Sequence, residues 1–135
     1  MKYTLTQLSW MQEVADGEPL SDKQRRALFI LGRYIVSPHW LLGQTRAGAE
    51  QSLNNSMPEF RDAYQRALVE DRGEPGGDTY GSIILIWLAM VLIGAVLSWA
   101  IKRLLDWLFP DTPTSINRAR LNELTKLQEL WRAGR

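Results

Sequence analysis

The spacing of apolar positions divides this 135-residue chain into short amphipathic segments, one long uninterrupted apolar run and a final leucine-spaced segment. Leu5, Leu8, Met11 and Val14 recur every third residue and predict a first helix, capped by Thr4 or Thr6 and running to about Asp16, with Trp10 off the stripe. Residues 17–20, with Gly17 and Pro19, break it. Ser21 and Gln24 form a capping-box pattern, and Asp22 complements the dipole of the helix that follows. That helix carries Ala27, Leu28, Phe29, Ile30 and Leu31. Ser37-Pro38 predicts a third start, an N-cap followed by an N1 proline, leading into Trp40, Leu41 and Leu42. A fourth begins at Ser56 or Met57 with Pro58 at N1, and Phe60, Tyr64, Ala67 and Leu68 hold one face to about Arg72. No five-residue stretch alternates with period two, so residues 1–72 read as an all-α cluster of short helices.

Residues 82–101, SIILIWLAMVLIGAVLSWAI, contain no charge. As a helix they extend about 30 Å, the thickness of a bilayer's hydrocarbon core, and predict one transmembrane helix. The run begins too far into the chain to be a cleaved signal. A buried helix in an all-α domain is the competing reading; it is set aside because so short a chain offers little structure to hide the rod on every side. Helical pattern continues to Phe109, so the span with its interfacial extension covers 82–109. Tyr80 is placed at one interface and Lys102, Arg103, Trp107 and Phe109 at the other as anchors. Lys102 and Arg103 can each pair with Asp106 across one turn. Within the span, Gly94 and Ser98 are small residues four apart. With Val91 and Trp87 they form a candidate helix-packing face.

Residues 73–81, GEPGGDTYG, are a flexible linker, since four glycines and a proline cannot hold a helix. They lack the Gly-Lys-Ser/Thr ending of a phosphate loop and the GxGxxG of a dinucleotide site, and Glu74 and Asp78 would repel phosphate. Residues 110–135 form a basic amphipathic tail. Its last helix, about 116–131, has Leu121, Leu124, Leu127 and Leu130 at a spacing that drifts around the helix instead of holding a coiled-coil seam.

Charge sharpens this division. Residues 1–79 hold nine Lys/Arg against eleven Asp/Glu, whereas residues 102–135 hold seven against four. A tail of that sign beside a membrane suits anionic headgroups, and it is too weakly basic to predict nucleic-acid binding. With no cysteine and one histidine, His39, thiolate chemistry and cysteine-based metal sites are excluded, and no cofactor or metal is expected. The carboxylates Glu70, Asp71, Glu74 and Asp78 flank glycines and read as solvated charges. Residues 27–42, apolar apart from Arg33 and His39, read as the core of the N-terminal cluster or as an interfacial segment with Arg33 snorkelling. No ionisable residue lies within 82–101, which disfavours transport.

The expected function is therefore non-enzymatic. The chain reads as a single-pass membrane subunit that anchors or stabilises a larger membrane-associated assembly through helix packing. Its partners are lipid, other membrane-protein subunits and itself, with no small-molecule substrate. A bacterial inner membrane or a virion membrane fits, with the C-terminal tail in the cytoplasm because Lys102 and Arg103 follow the run directly. The alternative is a membrane-permeabilising, holin-like protein acting by self-association.

Overall fold

The computed structural model describes residues 3–34, 38–72, 80–110 and 115–133; at 38–39, 69–72 and 80–90 it describes the backbone course only. The described residues are all-helical. The elements are α1 (Leu5–Val14), α2 (Asp22–Tyr34), a 3-10 turn (Pro38–Leu41), α3 (Arg46–Asn55), α4 (Met57–Arg72), α5 (Tyr80–Leu108) and α6 (Arg118–Ala133).

Local chemistry accounts for most helix starts. Thr4 and Gln7 close a capping box on α1. Ser21 Oγ accepts from the Gln24 amide at 3.2 Å and the Gln24 side chain returns to the Ser21 amide at 3.0 Å, opening α2 as the sequence predicts. Asn117 Oδ1 accepts from the Arg120 amide at the head of α6. The third segment differs from expectation. Pro38–Leu41 makes only a 3-10 turn, and the helix proper is α3, capped by Thr45, whose side chain accepts from the Gly48 amide at 3.1 Å. Ser37 lies outside the described residues.

Helix α2 is the central rod. Its residues Ala27, Leu28, Phe29, Ile30, Leu31 and Gly32 are all buried in succession, so this helix is covered all round, packing on α1, α4, α5 and α6. This supports the core reading of the first part of residues 27–42. In α1 the buried residues are Gln7, Trp10, Met11 and Val14, whereas Leu5 is 86% exposed. A three-residue spacing falls about 60° short of a full turn at each step, so Leu5 and Val14 stand on opposite sides of the helix and Trp10 takes the inner face. On α4 the expected face holds: Phe60, Ala63, Tyr64 and Ala67 are buried, with Leu68 packed at the edge.

Helix α5 is 29 residues long, and its second half is core. Ile93, Leu97, Ile101, Leu104, Leu105 and Leu108 are buried at helical spacing against the rest of the cluster. The tail then folds back, since the Asn117 amide donates to the Leu108 carbonyl at 2.7 Å. Trp107 of α5 meets Trp10 edge-on at 5.9 Å, and Trp10 meets Trp131 of α6 in the same way. Gln128 Nε2, also on α6, donates to the Gly32 carbonyl at 2.9 Å. These contacts gather α1, α2, the end of α5 and α6 around one aromatic centre.

Among the described residues no helix is long and apolar enough to cross a membrane, and the expected span over 82–101 is not supported. The physical reason is division of labour within α5. From Ile93 onward its apolar residues are consumed by the core. A single pass over 82–101 would moreover leave residues 1–72 and 102–135 on opposite faces of a bilayer, whereas here the same two parts interlock.

Candidate functional site

The exposed face of α5 changes character along its length. Read from the C-terminal end, the exposed residues are Asp106, Lys102, Ser98, Ala95 and Val91, an acid, a base, a hydroxyl, a methyl and an isopropyl group at three- and four-residue steps. Leu92 adjoins them. Val91 is 58% and Leu92 54% exposed, two large apolar side chains side by side just before the buried Ile93. N-terminal to them, residues 82–90 include no polar side chain except Ser82 and the indole of Trp87. No rotation of the helix can give those turns a polar face. The candidate site is this apolar end of α5.

Its neighbour is α4. A Cβ built on Gly94 would stand 2.6 Å from Nη2 of Arg61, so the Arg61 guanidinium lies against the α5 backbone. From that contact Arg72 is about 16 Å along α4 and Tyr80 about 21 Å along α5. In a parallel course they would be about 37 Å apart, beyond the roughly 29 Å that eight residues of chain can reach. The two helices therefore do not run parallel, and α4 ends in the charged sequence Glu70, Asp71 and Arg72.

The sequence-predicted packing face divides. Gly94 is buried beneath Arg61, Val91 and Ser98 are exposed, and the side chain of Trp87 lies outside those described. What sits against Gly94 is α4 of the same chain.

Of the expected interfacial anchors, Trp107, Phe109 and Arg103 are engaged within the cluster. Trp107 and Phe109 are buried at 2% and 0% exposure, because α1 and α6 close over this end of α5. Arg120 of α6 stacks over the Trp107 ring and donates to the Trp107 carbonyl. Arg103 does not pair with Asp106; its Nη2 reaches both oxygens of Glu18 at 3.0 Å, with Asp16 at 3.5 Å. Asp106 pairs instead with Arg46 of α3. Lys102 is exposed, and the side chain of Tyr80 lies outside those described. Two cross-helix ion pairs thus fasten α5 to the loop after α1 and to the start of α3, a role that sequence spacing alone did not reveal.

Little else in the described residues offers chemistry. No group of three or more His, Cys, Asp or Glu there could hold a metal ion. The side chain of His39 and the linker acids Glu74 and Asp78 lie outside the described residues. Tyr3 has its phenol pKa raised, chiefly by burial and partly offset by the Arg26 guanidinium. Comparison with protein-family models, with curated proteins and with solved structures finds no match.

Proposed function

We propose that this chain is a non-enzymatic helical subunit that holds a larger assembly at a membrane, with the apolar end of α5 as its contact with lipid. The observation that carries the reading is the adjacent exposure of Val91 and Leu92 at the mouth of an otherwise apolar stretch of helix. About 20 Å of α5 precedes Ile93, enough for one leaflet and short of a crossing. End-on entry would carry Asp78, which stands just before Tyr80 in the sequence, into hydrocarbon at about 3 kcal/mol near mid-membrane. The contact is therefore sideways, with the first turns of α5 lying in the interface. The cluster of α1, α2, α3 and α6 then stands above the surface and is available to partner subunits.

A second reading is favoured by the uncharged run itself, whose length matches a bilayer. If the cluster opened and released residues 93–101, α5 could cross the membrane, and several copies crossing together would permeabilise it.

Flotation with preformed liposomes tests the first reading. The full chain is expected to float, and Val91→Asp/Leu92→Asp is expected to remain at the bottom with its helicity intact. Each substitution removes about 1.5–3 kcal/mol of apolar burial. Equal flotation of both proteins, or none of the wild type, would remove α5 as the membrane contact. Dye leakage accompanying flotation would favour the second reading.

A further inference from the structure

The two most exposed large apolar side chains among the described residues, Leu5 and Leu130 at 86% and 59%, line the same groove. It runs between α1 and α6, encloses about 560 Å³, and is floored by the buried Trp10 and Leu127. Its rim carries Glu13 from α1 and Glu123 and Lys126 from α6, all exposed. Single exposed leucines are ordinary, but two on facing helices above an apolar floor make a patch.

We propose that this groove is where two copies of the chain associate, each presenting the same α1–α6 face across a two-fold axis. Such an interface sets a surface against itself, so charges on it attract across the axis only where it carries both signs, as this rim does. A two-fold arrangement sets the Lys126 ammonium of each copy against the Glu13 and Glu123 carboxylates of the other, while Leu5 and Leu130 close over the apolar floor. A basic helix from another protein would be better served by an all-acid rim; the lysine beside Glu123 opposes it. The proposal is independent of the membrane reading, because Val91 and Leu92 of α5 are not part of this groove. It also relocates self-association: the Gly94 position that the sequence suggested is occupied by Arg61.

Sedimentation equilibrium of the full chain over a concentration series tests it with five proteins: the wild type, Lys126→Glu, Glu13→Lys/Glu123→Lys, Leu5→Asp/Leu130→Asp and Val91→Asp/Leu92→Asp. Circular dichroism confirms that each is folded. The wild type is expected to show a monomer–dimer equilibrium. Each charge variant alone, now with a rim of one sign, should associate at least about tenfold more weakly. An equimolar mixture of the two variants should regain dimers, because an all-acid rim then meets an all-base rim. Leu5→Asp/Leu130→Asp should stay monomeric. A monomeric wild type, dimers of unchanged strength in every variant, or folded variants that fail to pair when mixed would each overturn the proposal. So would association lost only in Val91→Asp/Leu92→Asp, which would place the contact on α5.

Discussion

Gly32 lies directly beneath the indole of Trp131: a Cβ there would stand 2.5 Å from Cη2 and 2.9 Å from Cζ3 of that ring, and 3.0 Å from Cη2 of Trp10. Its carbonyl accepts from Gln128 at the same crossing. This is where the C-terminal helix meets the central rod. The absence of a side chain is what allows the approach.

Gly32→Ala is therefore expected to destabilise. Alanine would ordinarily gain about 1 kcal/mol over glycine inside a helix. Here the atoms it meets belong to rigid rings wedged among Trp10, Phe29 and Trp131, and overpacking of this kind costs about 1–3 kcal/mol. The clash wins, and thermal unfolding followed by circular dichroism should show the midpoint lowered by a few degrees. A midpoint equal to or above the wild type would contradict the packing at this crossing.

Gly94→Ala should do the opposite. The atom that its Cβ meets is the far end of an exposed arginine, Arg61, which can swing aside at small cost. The helix-propensity gain of up to about 1 kcal/mol then dominates. The same measurement should show an unchanged or raised midpoint. A larger residue such as Leu at Gly94 is expected to disturb the α4–α5 contact at Arg61 before any contact with another molecule.

One guanidinium nitrogen of Arg103 donates to both carboxylate oxygens of Glu18, but Glu18 is more than half exposed. Glu18→Ala should cost no more than about 1 kcal/mol, and the loss should shrink as salt is raised. Denaturant unfolding at low and high ionic strength checks this. An effect indifferent to salt would mean that Glu18 acts through the turn it closes rather than through charge.

Much of the fold was legible in the chain. The Ser21–Gln24 box, the Phe60–Tyr64–Ala67 face and the buried run from Ala27 all follow from local pattern. Two kinds of feature were not. Leucines spaced by three mislead on a straight helix: Leu5 and Leu130 read as members of apolar stripes and stand outside, while Trp10 and Gln128 take the inner positions. Pairings across long separations, such as Arg103 with Glu18 85 residues earlier, leave no local signature. The apolar run posed the harder problem. Its first half and second half look alike in sequence, and the amphipathic stripe from Ile93, completed by the polar residues Ser98, Lys102 and Asp106, is what marks the second half as core. For the candidate site, the absence of charge in 82–92 was visible and the covering of Gly94 by Arg61 was not.

Whether residues 1–72 and 115–133 share one side of the membrane decides between a sideways lipid contact and a spanning α5. The chain has no cysteine, so single cysteines at Asn54 on α3 and at Ser115 before α6, both exposed, report cleanly. After the full chain binds preformed liposomes, an impermeant maleimide added outside should label both positions fully, with no further labelling when detergent is added. Labelling of one position from outside, with the other reacting only after detergent, would mean that α5 crosses the bilayer and that the interlocked cluster is not the membrane-bound form.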